Sequence, residues 1–445
     1  MSGFGTLADS PASFLLAGVR AIDPSGRTDL VRDLAVLEGQ IVDPRELHGG
    51  ARRIDAQGFV VAPGLCDLHT HLREPGGEMA ETIETGTRAA ARGGFTTVCA
   101  MPNTDPPLDE RARVAAVTRH SAAARVRVVA AATRGRAGER LTDYAELAAE
   151  GVVGVSDDGA AIADPRLARG ALAYLGELGL PLIEHAEEPT LAAGTLMRSG
   201  RTATRLGLAG WPASAELTIV ERDIALAAET GGWVHFTHLS TAGGLDAVRR
   251  AKHRGLHVTC DVTPHHLALT DAWVAGHRGF AWDGAGEASL DRAYDGATRV
   301  SPPLPSREDA MALLAGVADG TVDAIATDHA PHPPERKLVE YAAAAPGVIG
   351  LETALSLGLA AVEAGCVALD RLLDALSSGP AGMIGEARGL SVGQAANLVV
   401  FDPAARWRVE AAALASRSAN TPLLGMELPG VVQMTVADGR ITYEA

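Results

Sequence analysis

Lysine is nearly absent. The 445-residue chain carries only Lys252 and Lys337; the other 37 of its 39 basic residues are arginines (39 less 2). No Lys/Arg cluster of the kind that tracks phosphates occurs, and the formal net charge is −16, so nucleic acid is not an expected partner. An acidic chain that takes an anionic substrate must place positive charge locally, through a metal or an arginine. Aromatics make up 4%, which leaves Ala, Leu and Val to fill the core. Cysteine is scarce. Cys66, Cys99, Cys260 and Cys366 are widely spaced in apolar runs with no C-x-x-C, which reads as buried thiols in a reducing cytoplasm. No apolar run is long enough to span a membrane. Met1 to Ser13 lack a basic region followed by an apolar run, so no signal peptide is read there.

What is present is a large apolar fraction, 47%, and 50 glycines, enough for one large α/β domain with many tight turns and a smaller domain beside it. Residues 14–62 read as short strands with turns: Phe14 to Arg20, Asp33 to Leu37, and Ile41-Val42 after a Gly-Gln turn. Residues 396–401, 431–436 and 439–443 have the same texture. The two ends, 1–62 and 390–445, are therefore expected to pair into one composite β-sandwich. Between them, 63–389 alternates strand and helix. Strands are expected at 59–69, 95–101, 126–132, 152–156, 181–184, 233–237, 256–262 and 322–327. Met79 to Arg92, Ala215 to Thr230 and Arg307 to Ala318 read as helices between them, the first ending at Gly93-Gly94. Eight strands alternating with helices over this length predict an α/β fold of the (β/α)8 TIM-barrel type. An open doubly wound sheet is the alternative, but no G-x-G-x-x-G turn follows the first strand.

Polar residues collect where those strands end. His69 and His71, two apart, share one face of a strand and can grip one metal ion. The fourth strand ends in Ser156-Asp157-Asp158-Gly159, the fifth in Glu184-His185-Ala186-Glu187, the sixth in His235-Phe236-Thr237-His238, and the eighth in Thr327-Asp328-His329-Ala330-Pro331-His332. Barrel strand ends converge on one mouth. Four histidines and two carboxylates there can hold two divalent metals, which would polarise a carbonyl and supply a nucleophile near neutral pH. Singly, each motif has an ordinary explanation: a bonded core histidine, an Asp-Asp-Gly turn, a solvated loop histidine. Five strand ends carrying ligand-type residues together do not. His48, His120, His253, His257 and His277 have no such placement and read as surface or structural; His265 and His266, closing the seventh strand, read as supporting residues.

Asp67-Leu68-His69-Thr70-His71-Leu72-Arg73-Glu74-Pro75-Gly76 resembles the signature of dihydroorotases in the amidohydrolase superfamily. Met101-Pro102-Asn103-Thr104, Ser156 to Gly159, His238-Leu239-Ser240-Thr241, Thr263-Pro264-His265-His266 and Ala326 to His332 recur in that family in this order, and the bacterial class I type is the nearest likeness. The resemblance covers nearly the whole chain. It implies a cytoplasmic enzyme of pyrimidine synthesis that interconverts N-carbamoyl-L-aspartate and L-dihydroorotate. A metal-activated hydroxide would attack the ring carbonyl while Asp328 carries the proton. It implies two Zn2+ per subunit, with His69, His71 and Asp328 on one, His185 and His238 on the other, and Asp158 bridging. Spacing alone does not separate Asp158 from Asp157. It implies substrate contacts from His71, Arg73, Asn103, Ser301, His332 and the Pro346-Gly347 backbone, a homo-oligomer, and aspartate carbamoyltransferase as a possible partner.

Two departures bear on substrate choice. Ser301, in Ser301-Pro302-Pro303-Leu304-Pro305, stands where relatives often have Asn, and serine there also occurs in hydantoinase-like relatives. The segment 271–299 is long and rich in Gly and Asp. Its glycines (Gly276, Gly279, Gly284, Gly286, Gly296) and few large apolar anchors suggest a mobile lid or docking loop. The alternatives are a hydantoinase, dihydropyrimidinase or allantoinase, or a non-catalytic dihydroorotase-like subunit. Cyclic amidases of the first kind usually bridge their metals with a carboxylated lysine. No lysine lies between His71 and His185, so that device is not available on the fourth strand.

Overall fold

Eight parallel strands form the wall of a barrel in the computed structural model, which describes residues 11–47, 51–120, 122–284 and 288–445. In chain order they are Leu65–Thr70, Phe95–Ala100, Arg125–Ala131, Gly154–Ser156, Pro181–Glu184, Trp233–Phe236, Val258–Val262 and Ala324–Ile325, each bonded to the next. The ring closes just past the last strand. Thr70 and His329 form a parallel bridge, and His71 N–H donates to the His329 carbonyl at 2.9 Å. The strands are buried along nearly their whole length, which is why they read as apolar runs rather than alternating ones. Helices such as Ile83–Arg92, Pro165–Leu178, Ala213–Thr230, Ala242–His253 and Arg307–Asp319 cover the outside, and Val, Leu and Ala side chains fill the layer between. This is the expected (β/α)8 barrel.

Boundaries shift at several elements, and two of the shifts have a plain physical cause. The expected strand 59–69 is two strands. Val60–Pro63 pairs antiparallel with Leu398–Arg408 in a second sheet, and Leu65–Thr70 starts the barrel. The apolar run is continuous because both pieces are buried, so hydrophobicity hides the switch at Gly64. The helix expected from Met79 starts at Ile83, because Thr82 accepts Thr85 N–H at 3.1 Å in a reciprocal cap.

The second sheet joins the two ends of the chain. It holds Phe14–Asp23, Thr28–Leu37, Gln40–Val42, Arg52–Asp55 and Val60–Pro63 from one end and Leu398–Arg408, Glu427–Ala437 and Arg440–Glu444 from the other. One face encloses a core of Phe14, Leu16, Val36, Val61, Leu398, Val400 and Val436. Its hairpin turns abut. Glu38 and Gly39 (φ 48° and 79°) lie against Asp438 and Gly439 (φ 49° and 76°). A Cβ on either glycine would strike the backbone of the other, and the positive φ adds its own preference for glycine.

The described parts of the segment, 271–284 and 288–299, are better anchored than its glycines suggest. Trp273 is fully buried, Phe280 stacks on it at a 6.3 Å centroid distance, and Trp282 lies 5.0 Å from Phe280. Counting glycines overlooked three aromatics that pack under the segment. His48, Gly286 and the first ten residues lie outside the described residues. Cys66, Cys99 and Cys260 are buried; Cys366, expected to be buried, is half-buried in the exposed turn that follows the helix Ala354–Glu363. Among the described residues no helix is long and apolar enough to cross a membrane.

Candidate active site

Three buried aspartates fix the strand ends before any ligand is considered. Asp67 accepts His69 N–H at 3.1 Å and Thr327 N–H at 2.9 Å, tying the first strand to the last. Asp157 accepts Thr133 N–H at 2.9 Å and its hydroxyl, tying the third strand end to the fourth. That assigns Asp157 to the scaffold and leaves Asp158 pointing into the mouth. Gly159 follows with φ 84°, which turns the chain away. Asp261 accepts His238 N–H at 2.6 Å and the Thr237 hydroxyl at 3.1 Å, and bonds His235 Nε2 at 2.8 Å.

These bonds set the histidine tautomers. Thr237 spends its one proton on Asp261, so its Oγ1 accepts His69 Nδ1–H at 2.7 Å and leaves the Nε2 lone pair facing the centre. Asn103 donates through Nδ2 to Asp158 at 3.0 Å, so its Oδ1 accepts His71 Nδ1–H at 2.8 Å, and His71 Nε2 also faces inward.

The inward atoms converge. His69 Nε2 lies 3.4 Å from Asp158 Oδ1 and 3.6 Å from Asp328 Oδ1. His71 Nε2 is 3.0 Å from Asp328 Oδ1 and 3.6 Å from Asp158 Oδ2. His185 Nδ1 and His238 Nε2 are each 3.6 Å from Asp158 Oδ1 and 3.0 Å from one another. Ligand atoms about 3.4 Å apart are what metal bonds of about 2.1 Å at tetrahedral angles produce. His69 Nε2 and Asp158 Oδ1 are buried without a hydrogen-bond partner, an arrangement that is costly unless a cation sits between them. Two groupings, His69–His71–Asp328 and His69–Asp158–His238, are tight enough to hold an ion. The residues present therefore fit a metal. Electrostatics splits the four histidines: burial lowers His71 and His238, while the other two are raised. Against the cost of burial, Asp158 and then Asp328 raise His69 to about 9, and Asp158 with Glu187 raises His185 to about 10. Burial opposes ionisation of Asp158, but His69, His185 and His238 hold it well below the carboxylate range. The cluster attracts positive charge, which a divalent ion supplies while leaving the imidazoles neutral.

Beside the cluster lies a second, loop-built end. Arg73 (φ 59°) donates through Nε to the Pro331 carbonyl at 3.2 Å and sets Nη2 3.5 Å from His332 Nε2. His332 Nε2–H donates to the Pro346 carbonyl at 2.8 Å, and its backbone N–H donates to Asn420 Oδ1 at 3.0 Å. Burial and then the Arg73 charge push His332 down to about 3, so the ring is neutral. Gly347 (φ 135°) packs so closely on Ala330 and the His332 ring that a Cβ would strike both. Arg73, Asn103, His332, Pro346 and Gly347 are thus neighbours of the cluster or of each other. Ser301 is half-buried; the carbonyl of the next residue, Pro302, accepts His266 Nε2–H at 3.0 Å. His265 is buried with Nε2 unpartnered.

A sequence-family profile described as Dihydro-orotase-like matches residues 58–243. The dihydroorotase of Anaeromyxobacter dehalogenans (strain 2CP-C) is 46% identical over 436 residues, 96% of this chain and 97% of that protein. The dihydroorotase of Geobacter sp. (strain M21) is 42% identical over 440 residues, 97% and 100%. The chain belongs to the dihydroorotase family. Among solved structures, the L-hydantoinase (dihydropyrimidinase) of Arthrobacter aurescens matches with a TM-score of 0.81 at 22% identity, covering 97% of this chain and 96% of that one. The dihydropyrimidinase of Brevibacillus agri NCHU1002 matches at 0.79 and 21%, covering 96% and 94%. At that identity the likeness establishes the fold.

The residues that support the candidate ligands were not singled out in the sequence reading. Thr237 and Asp261 orient His69 and His238. Glu81, fully buried, bonds His329 Nε2 at 3.2 Å and Arg417 N–H at 3.1 Å, and so braces the loop that carries Asp328. A carboxylate in the apolar context Met79-Ala80-Glu81 was the available signal. Asn420 carried none, since its partners lie 73 to 90 residues away in the chain.

Proposed function

We propose that the protein is a metal-dependent dihydroorotase that closes N-carbamoyl-L-aspartate to L-dihydroorotate and reopens it, with two Zn2+ bound by His69, His71, Asp158, His185, His238 and Asp328. The observation that carries this reading is the pairing of two features in one mouth: a cluster of metal-ligand type with unpartnered inward atoms, and a half-buried guanidinium, Arg73, beside it. A guanidinium so placed suits a carboxylate, which dihydroorotate has and the simple cyclic amides lack.

Bound metal supplies Lewis-acid polarisation of the ring carbonyl and an acidified water. The chain supplies the rest. Burial alone would raise Asp328, but the bond to His71 and the fields of His69, His71 and His238 hold it below the usual carboxylate range. It is therefore ionised at neutral pH and able to take the proton of the attacking water. The same carboxyl then passes that proton to the departing ring nitrogen, one carboxylate serving both steps. Arg73, Asn103, neutral His332 and the Pro346-Gly347 backbone hold the carboxylate side and fix the ring against the cluster. Ser301 lines the same mouth in this reading. Association into a homo-oligomer, docking of aspartate carbamoyltransferase and action in the cytoplasm belong to the same proposal.

The experiment is direct. Purified protein is stripped with a chelator, reloaded with zinc, and assayed with dihydroorotate, carbamoyl-aspartate, hydantoin, dihydrouracil and allantoin. Zinc-dependent turnover of the first two is expected. Turnover confined to hydantoin or dihydrouracil would assign the chain to the other cyclic amidases, and no turnover by metal-loaded protein would favour a non-catalytic role.

A further inference from the structure

Lys337, one of the chain's two lysines, is buried at the end of the short helix Pro334–Lys337. It lines a cavity of about 600 Å³ together with His332, Asn420, Arg278 and Asp295. Its Nζ donates to the carbonyls of Ala345 at 2.7 Å, Gly347 at 2.9 Å and Arg299 at 3.2 Å. Three acceptors need three donors, which the ammonium has and the free amine does not. The same backbone is held twice more. Asn420 Nδ2 donates to the Gly347 carbonyl at 3.1 Å, and Gly347 N–H donates to Arg299 O at 2.9 Å. The Pro346 carbonyl inside this clamp is the one that accepts His332 Nε2–H.

We propose that Lys337 is a positioning residue for substrate binding: its ammonium fixes the 345–347 backbone, and through Pro346 the His332 ring, in the arrangement that receives the substrate carboxylate. The geometry supports this over a purely structural role because every bond Lys337 makes ends on the backbone beside the proposed carboxylate site. None ends in the barrel core. The proposal rests on the dihydroorotase reading of that site.

Three measurements test it. First, wild-type turnover of dihydroorotate is established; its absence would overturn the site reading and this proposal together. Second, Lys337→Met should raise KM for dihydroorotate about tenfold, leave kcat within about threefold, and leave metal content unchanged. Normal KM in the folded variant would overturn the proposal alone, as would equal loss of kcat and bound metal. Third, should that variant not fold, lysine-selective isotope labelling of the wild-type enzyme gives two side-chain signals. The Lys337 signal should move on saturation with dihydroorotate while that of Lys252 stays. A Lys337 signal indifferent to substrate would overturn the proposal.

Discussion

The two ends of the site are built differently. The metal-ligand end stands on barrel strands. His69 and His71 close the first, Asp158 the fourth, His185 the fifth and His238 the sixth, and Asp67, Asp157 and Asp261 lock their backbones. The end proposed to take the carboxylate stands on loops. Arg73 is held by the Pro331 carbonyl, and His332 and the 346–347 backbone by groups from 299, 337 and 420. Strand geometry gives the first end its precision; cross-chain clamps give the second its shape. Damage to the first should therefore cost metal and chemistry, and damage to the second should cost affinity and selectivity.

The largest effect is expected at the residue that touches most ligands. Asp158→Ala should lose at least one metal, read by elemental analysis, and nearly all activity. Because Asp158 needs no modification to carry its charge, wild-type apo protein should reload metal equally well with and without bicarbonate; bicarbonate dependence would place an unseen carbamate in the bridge. Asp328→Asn should lower kcat about a thousandfold in both directions while dihydroorotate still binds. Metal content is measured alongside, and near-normal turnover in the loaded variant would remove Asp328 from the chemistry.

How much of this was legible follows the same division. Strand ends carry a local signature: an apolar run, then His-x-His, Asp-Asp-Gly or Thr-Asp-His. The barrel and the strand ends that carry the candidates could be read from it; the choice of Asp158 over Asp157 came from the family resemblance. The clamps have no local signature. Asn420 acts on Ala330 and Gly347, and Glu81 on Arg417, across 73 to 336 residues of chain, and periodicity in a short window does not report such pairings. The switch at Gly64 was invisible for a different reason: both strands it joins are buried. The aromatic anchors of 271–299 were in plain view but were outweighed by its glycines.

Smaller effects sharpen the comparison. Thr237→Val removes the acceptor for His69 Nδ1–H and should weaken metal binding about tenfold by competition with a chelator, with KM little changed in metal-loaded protein. An altered KM with normal metal affinity would move Thr237 to the other end. The smallest effect is a pH dependence. Burial, opposed by Asp295 and reinforced by Arg299, brings Lys337 down to about 7; His332 beside it is neutral across this range, and Arg278 pairs with Asp295 at 3.2 Å. Below that pH the ammonium serves all three carbonyls. As pH rises through it one donor is lost, so KM for dihydroorotate should increase about two- to threefold between pH 6 and pH 8.5, a rise that Lys337→Met should lack.

The central claim is that one end of the mouth performs ring chemistry and the other selects a carboxylate. It is tested most directly by kcat/KM for dihydroorotate and for dihydrouracil, measured on zinc-loaded wild type and Arg73→Ala with metal content determined in each. The wild type should favour dihydroorotate by at least about a hundredfold. Arg73→Ala should lose most of that preference, retain its metal, and leave the slow turnover of dihydrouracil unchanged. A wild type indifferent to the carboxylate, or an Arg73→Ala protein that loses metal and keeps its preference, would contradict the account.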